Sequence, residues 1–187
     1  MKSERPEDLS LNSILERLRQ EYWKNLSEAG EQQSQEGVEL LTFWLGDECY
    51  GVDLALSRHL LKLPKIVKLP QVPEYVLGVC NLRGEIVPVM DLRKLFGVKL
   101  SPESADSRLL VVEAKGIMAA MFLDRVGDII FAETKNLRKA TGEESVIPSQ
   151  YLKGYFVPGE EKDKLLIYLD LGQLLSSEKL VGGIREG

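Results

Sequence analysis

The sequence has few of the side chains that catalysis and metal binding require. Its 187 residues include one histidine, His59, and two cysteines, Cys49 and Cys80. A Ser-His-Asp or Cys-His nucleophile would have to use that histidine, and two cysteines are too few for a disulfide framework or a zinc motif. Apart from the pair Gly182–Gly183 near the C-terminus, the glycines are scattered singly, which excludes a glycine-rich phosphate loop. We therefore expect no enzymatic activity, no metal and no cofactor.

A positive net charge and a long apolar run are also missing. The formal net charge is −5, and residues 1–37 carry −3 of it. Because the phosphate backbone attracts basic surfaces, nucleic acid is a poor partner candidate. The longest apolar run, Ile117 to Leu123, is far shorter than the ~20 residues that cross a bilayer, and the polar start has no signal-peptide core. We expect a cytoplasmic protein with no direct membrane insertion.

The chain divides into four regions. Residues 1–29 predict an amphipathic helix, because apolar side chains recur there at helical spacing: Leu11, Ile14, Leu15, Leu18, Tyr22 and Leu26. Residues 30–37 predict a flexible linker, residues 38–177 a folded domain and residues 178–187 a C-terminal tail. A lone helix of this length is marginal in water. Its apolar stripe therefore packs on the domain, on a partner or on a second copy, the last through residues 11–26.

Short apolar runs in residues 38–177 predict a mainly β domain. Alternating side chains in residues 41–45 and 50–54 flank a Gly-Asp-Glu turn, which is typical of a hairpin. Further strand-like runs occupy residues 85–90, 109–113, 117–122, 127–132 and 165–169. Short helical pieces follow two of them, at residues 91–96 and 171–175. This spacing is typical of small β-barrels.

Four aspartates each follow an apolar run: Asp53, Asp91, Asp124 and Asp170. Paired carboxylates can serve as a catalytic acid and base. Two of them, Asp91 and Asp170, are also placed to cap the short helices that follow. We favour this structural interpretation.

The most specific pattern lies between Pro73 and Arg93. It predicts a strand, a tight Asn-Leu-Arg-Gly turn at residues 81–84, a second strand and a capped helical turn. Pro88 inside the second strand indicates an edge or a bulge. An exposed edge beside a turn that carries an arginine is a natural docking surface for another protein.

This segment closely resembles the CheW family of bacterial chemotaxis coupling proteins. The resemblance covers most of residues 38–175, and three other segments are similar to family motifs in the same order. Residues 43–54 resemble the family's opening hairpin, residues 122–126 its central strand signature, and residues 151–154 with 165–171 its closing strands.

The resemblance implies a fold and a role. The fold is mainly β, with two packed SH3-like five-stranded β-barrels and short helices. The role is that of an adaptor without an active site. It links the cytoplasmic tip of a methyl-accepting chemoreceptor, a helical hairpin held in a groove between the barrels, to the regulatory domain of a CheA-type histidine kinase in receptor arrays. The residues that match the family's receptor-facing region are Gly78, Val79, Asn81, Arg83, Gly84 and Val87, whereas the kinase-binding residues are unknown.

Two positions depart from the family pattern. Ser57 and His59 stand where family members often carry a valine and a glutamate, and that glutamate is a natural partner for the turn arginine. The departure changes the electrostatics of the groove. Arg83 then either orients a partner's carboxylate or forms a salt bridge within the domain.

The walls of the groove and the output of the pathway are further expectations. A groove that holds a helix needs an apolar wall, which Val79, Val87 and Val89 would supply.

Two other functions stay open. One is a small β-barrel protein that binds a ligand, which would need a pocket with convergent polar groups. The other is a CheW-like adaptor for a non-chemotactic pathway such as surface motility.

Overall fold

The structure, a computed structural model, describes residues 36–139, 147–157 and 165–177 together with Arg19, Gln20 and Lys24. Those three N-terminal residues are helical and exposed. The remainder of the expected helix, most of the linker and the C-terminal tail lie outside the described residues. Within the described part, no helix is long and apolar enough to cross a membrane.

Within residues 36–139, 147–157 and 165–177, ten strands and two short helices confirm the prediction of a mainly β domain. The strands are β1 (Gly37–Leu45), β2 (Glu48–Asp53), β3 (Ser57–Lys62), β4 (Val76–Leu82), β5 (Glu85–Met90), β6 (Arg108–Ala114), β7 (Ile117–Leu123), β8 (Arg125–Glu133), β9 (Leu152–Phe156) and β10 (Leu166–Leu169). The helices are α1 (Leu92–Phe96) and α2 (Leu171–Ser176). Short 3₁₀ turns lie at Leu54–Leu56, Thr134–Asn136 and Ser149–Tyr151.

The strands form two five-stranded sheets with one shared topology. Sheet A has the order β8-β1-β2-β10-β9, and sheet B has the order β3-β6-β7-β5-β4. In sheet A the β10–β2 pair is parallel, in sheet B the β5–β7 pair is parallel, and all other pairs are antiparallel. The chain therefore repeats one pattern twice, as β1 to α1 and as β6 to α2. The two halves exchange their first hairpins, because β1–β2 lies in sheet A and β6–β7 in sheet B.

One backbone bridge joins the two ends of each sheet. In sheet B, Val67, which follows β3, pairs with Val79 of β4 through two hydrogen bonds of 2.8 and 2.9 Å. In sheet A, Arg138, which follows β8, pairs with Tyr155 of β9 at 2.9 and 2.8 Å. The glycine before each β4 or β9 partner has a positive φ, and a Cβ there would overlap the carbonyl of the bridging residue. Complete closure into SH3-like barrels goes beyond these single bridges and stays a prediction.

Three hydrophobic clusters hold the sheets together. The largest draws residues from both sheets and both helices, including Phe43, Met121, Leu92 and Leu174. A second cluster belongs to sheet B and a third to sheet A. Apolar side chains on both faces of each sheet are therefore removed from water, which is the main source of stability in such a fold.

The capping prediction for two aspartates is confirmed. Asp91 precedes α1 and accepts a hydrogen bond from the backbone N–H of Arg93 at 3.1 Å. Asp170 precedes α2 and accepts one from Gln173 at 2.9 Å. Each carboxylate satisfies a backbone donor that the first helical turn leaves unpaired.

Candidate protein-docking site

The turn between β4 and β5 is a two-residue hairpin loop. Arg83 and Gly84 both have positive φ, 53° and 97°, as a type I′ turn requires. The Gly84 N–H donates to Oδ1 of Asn81 at 2.8 Å, which fixes the loop. All three residues are exposed, so the sequence-based expectation of a tight, accessible turn is confirmed.

An apolar strip continues from this turn along the outer side of β4 and β5. Ile86, opposite Asn81, is 65% exposed, and Val67 is 54% exposed. The half-buried pair of Val79 and Pro88 lies between them in register. We call Val67, Val79, Ile86 and Pro88 the turn strip.

Two members of the strip, Val67 and Ile86, were not predicted from the sequence. Ile86 was detectable, because Ile86 and Pro88 alternate with Val87 and Val89 along β5. Pro88 was expected at an edge or a bulge. β5 lies inside the sheet, between β7 and β4, but Pro88 itself pairs with β4 alone, because the pairing with β7 is formed by Val89 and Met90.

Two of the predicted site residues, Val87 and Gly78, are buried beneath this surface and support it. Val87 is 2% exposed and packs in the sheet B cluster with Cys80 and Val89. Gly78 is buried and lets the Val67 backbone approach β4. Of the expected groove wall, Val79 alone reaches the outer side, because Val87 and Val89 point into sheet B.

Arg83 forms no ion pair or hydrogen bond within residues 36–139, 147–157 and 165–177. His59 is half-buried opposite Val111, and its neighbour Arg58 pairs with Glu113 at 3.0 Å. Of the two roles predicted for Arg83, the described residues do not form the salt bridge within the domain. Its guanidinium therefore stands open to a partner's carboxylate.

A second surface is a shallow groove between the end strands of the two sheets. The resemblance implied a groove between two barrels, but its lining residues were not predicted from the sequence. The observed groove has a volume of about 400 Å³. Leu60 of β3 forms one wall, and Arg125, Val126 and Gly127 of β8 form the other, with Asp106 and Arg108 at its margin. We call it the β3–β8 groove.

A buried charge cluster, the Arg93 cluster, lies directly behind the β8 wall. The Arg93 guanidinium donates to both carboxylate oxygens of Asp91 at 2.9 and 2.8 Å, to the Ser101 carbonyl at 3.0 Å and to Oδ1 of Asp124. The other Asp124 oxygen accepts from the Gly46 N–H at 2.7 Å. Burial disfavours the charged guanidinium, but the hydrogen bonds and charges of Asp91 and Asp124 outweigh it and hold the pKa of Arg93 above its usual value.

The remaining aspartate, Asp53, lies where the chain leaves β2 of sheet A for sheet B. Its carboxylate accepts hydrogen bonds of 2.7 Å from both Lys153 and Tyr168. Burial, together with the Asp53 hydrogen bond, raises the pKa of Tyr168 to about 12. All four aspartates thus have structural partners, which favours the interpretation made from the sequence.

These features define a class of protein: a two-sheet β domain with exposed surfaces that are candidates for binding another protein. Among the residues that the structure describes, no group of His, Cys, Asp or Glu could hold a metal ion. A protein-family model described as a CheW-like domain matches residues 39–179. The chain therefore belongs to the CheW-like family.

Individual proteins agree with this assignment. Chemotaxis protein CheW of Klebsiella aerogenes is 30% identical over 144 residues, which are 77% of this chain and 85% of that protein. Protein PilI of Pseudomonas aeruginosa is 34% identical over 84 residues, 45% of this chain and 47% of that protein. The crystal structure of the scaffolding protein TtCheW from Thermoanaerobacter tengcongensis superposes with a TM-score of 0.70 at 29% identity and covers 80% of this chain and 94% of that chain.

Proposed function

We propose that this chain is a chemotaxis adaptor that couples methyl-accepting chemoreceptors to a CheA-type histidine kinase. The observation that carries this function is the CheW-like family match, which spans both sheets and both short helices. The protein makes and breaks no bond and acts by binding. It resides in the cytoplasm and joins membrane receptor arrays through its partners.

Two partners bind at separate surfaces. The regulatory domain of the kinase binds at residues still unknown, and the helical tip of the receptor binds the face that carries Asn81, Arg83 and Gly84, shaped from within by Gly78 and Val87. The turn strip supports this assignment, since exposed aliphatic side chains accept the apolar face of a helix. Arg83 pairs there with a carboxylate of the receptor.

The paired sheets are two SH3-like barrels in this proposal, closed by the bridges at Val79 and Tyr155. The β3–β8 groove lies between them and offers the half-buried Val126 to a receptor helix, above a floor that the buried Leu60 helps to form. A helical hairpin has two helices, which suits one contact at the groove and a second at the turn strip.

The mechanism is thermodynamic. Holding the receptor and the kinase on one adaptor raises their effective mutual concentration without any new chemistry. If the adaptor's affinity differs between two receptor states, the same contact passes a conformational bias to the kinase.

Titration calorimetry with two purified baits tests the proposal. One bait is a receptor cytoplasmic hairpin and the other a kinase regulatory domain, both from the host of this chain. We expect saturable binding to each bait in separate titrations. Absence of heat with both baits, for a chain shown to be folded, would contradict the adaptor role.

The output of the pathway is tested genetically. Since one relative is named for chemotaxis and another is Protein PilI, a deletion strain is assayed for swimming and for surface motility. Loss of chemotactic swimming alone supports a chemotaxis adaptor, and loss of surface motility alone supports the alternative output.

A further inference from the structure

Contacts behind the β8 wall of the β3–β8 groove hold that wall in place. Its three lining residues, Arg125, Val126 and Gly127, follow directly after Asp124, the residue at which the chain passes from sheet B to sheet A. Asp124 is held by Arg93, by the Gly46 N–H and by its own N–H, which donates to the Trp44 carbonyl at 3.1 Å. The start of the wall is therefore anchored from three directions.

Trp44 also contacts the residues of the β8 wall directly. The Arg125 guanidinium lies over the Trp44 ring, 4.0 Å from its centroid. The same ring and the Thr42 hydroxyl lie so close to Gly127 that a Cβ there would overlap them. A shift of Asp124 relative to β1 must therefore displace both ends of the wall.

Arg93 is the group on which Asp124 depends. Arg93 is 6% exposed, and it joins the start of α1, the loop at Ser101 and the crossover at Asp124, with its guanidinium 4.3 Å from the centre of the Phe122 ring. Charge-assisted hydrogen bonds in such a buried setting impose one geometry, since losing any of them leaves a charge unpaired.

The repeated half of the chain lacks this device. The sequence Asp91-Leu92-Arg93 at α1 corresponds to Asp170-Leu171-Gly172 at α2, where both aspartates cap their helices. Helix capping therefore needs no arginine. The Arg93 side chain must serve another purpose, one that the second half of the chain does not need.

We infer that the Arg93–Asp124 pair is a positioning element that sets the β8 wall of the groove for the receptor helix. This inference rests on the proposed adaptor function. Arg93 and Asp124 need not touch the receptor, because they act through Arg125, Val126 and Gly127.

The test compares Asp124→Asn and Arg93→Lys with the control Asp170→Ala. Asp124→Asn leaves the Arg93–Asp91 pair intact, and Arg93→Lys keeps the charge but cannot bridge three acceptors at once. The control removes the equivalent cap of the other half, away from the groove residues. Circular dichroism and thermal unfolding establish that each full-length variant is folded.

Two readouts separate positioning from general stability. The first is calorimetric affinity for the receptor hairpin and for the kinase regulatory domain. We expect both variants to lose receptor affinity by about 2- to 30-fold, the range for residues that act through intermediaries, with kinase affinity unchanged. The second is NMR of the free protein, in which the Trp44 indole N–H and Arg125 Nε–H signals shift in both variants and stay fixed in the control.

Three results would overturn the inference. One is unchanged receptor affinity together with unchanged Trp44 and Arg125 signals in a folded Asp124→Asn variant. Another is an equal loss of affinity for both baits, which indicates general damage. The third is an equal loss in the Asp170→Ala control. If the native chain binds no hairpin at all, the adaptor proposal fails instead, and the NMR signals still decide whether Arg93 positions the wall.

Discussion

The two halves of the chain, β1 to α1 and β6 to α2, use the same devices to build the fold. Each has a glycine at the bridge that joins the two ends of a sheet, Gly78 or Gly154, and an aspartate that caps its short helix. Each also has an aspartate where the chain crosses between the sheets, Asp53 or Asp124. The partners differ, because the partly exposed Lys153 pairs with Asp53 and caps no helix, whereas the buried Arg93 bridges Asp124 to the capping Asp91.

The halves differ where the candidate surfaces lie. The two-residue turn with Arg83 belongs to the first half, as does the buried Arg93. Features present twice are thus explained by folding, and features present once are candidates for function. Substitutions at equivalent positions in the two halves test this distinction.

The largest difference is expected between the two capping aspartates. Asp91→Ala leaves the buried Arg93 without its main partner and should destabilise the domain by about 3–5 kcal/mol. Asp170→Ala removes only a cap and should cost about 1 kcal/mol. Urea unfolding monitored by circular dichroism measures the free energy of unfolding of both variants. Equal losses would show that Arg93 does not depend on Asp91 more than a simple helix cap does.

The two glycines at the bridges should instead behave alike. Gly78→Ala and Gly154→Ala each force an alanine into φ values of 138° and 150°, against the carbonyl of the bridging residue. We expect losses of at least about 1–3 kcal/mol in both variants, since backbone strain of this kind costs that much. A near-neutral result at one of the two positions would show that its bridge is dispensable.

Charge reversal at the turn should affect binding but not stability. Arg83→Glu alters an exposed residue without a partner in the described part of the chain, so the free energy of unfolding should stay within about 0.5 kcal/mol of the native value. Its affinity for the receptor hairpin should fall, since a carboxylate replaces the guanidinium that we propose to pair with the receptor. Lys135→Glu is the control for charge reversal, at a lysine that is 68% exposed in the 3₁₀ turn after β8, where it pairs with Glu133. This variant should bind normally.

Arg125→Glu makes the same comparison at the β3–β8 groove. If only Arg83→Glu weakens binding, the turn holds the receptor, and if only Arg125→Glu does, the groove holds it. Normal receptor binding by both variants would remove both surfaces from the proposal.

The smallest effect on stability is expected from deletion of residues 1–35. β1 begins at Gly37, and the Glu36 carbonyl accepts a hydrogen bond from Thr134 at 3.0 Å, so the shortened chain keeps these contacts. It should remain folded and bind the kinase regulatory domain. Sedimentation velocity of the full-length and shortened chains tests self-association through residues 11–26. If these residues mediate self-association, only the full-length chain dimerises. An unfolded shortened chain would instead show that the N-terminal helix belongs to the core.

The sequence predicted what is local in the fold. Alternation and short apolar runs located most of the strands, though not β3 or β9. The spacing of Asp91 and Asp170 from the following apolar residues located two caps. It did not predict the exchange of hairpins, because the parallel pairing of β2 with β10 joins residues more than a hundred positions apart. Such pairings depend on the packing of whole sheets and leave no periodic signal in either strand.

Only the local part of the candidate site was predicted, because contacts between distant residues leave no local pattern in the sequence. The turn at residues 81–84 is encoded locally by Asn81 and Gly84. The Arg93 cluster joins residues from Gly46 to Asp124, which become neighbours only after both sheets have formed. The β3–β8 groove likewise exists only between two assembled sheets.

Sedimentation of the native chain with both baits together tests the adaptor role most directly. The account predicts a single complex that contains the receptor hairpin, the chain and the kinase regulatory domain, with neither bait displacing the other. Displacement of one bait by the other, or migration of the chain apart from both, would contradict it.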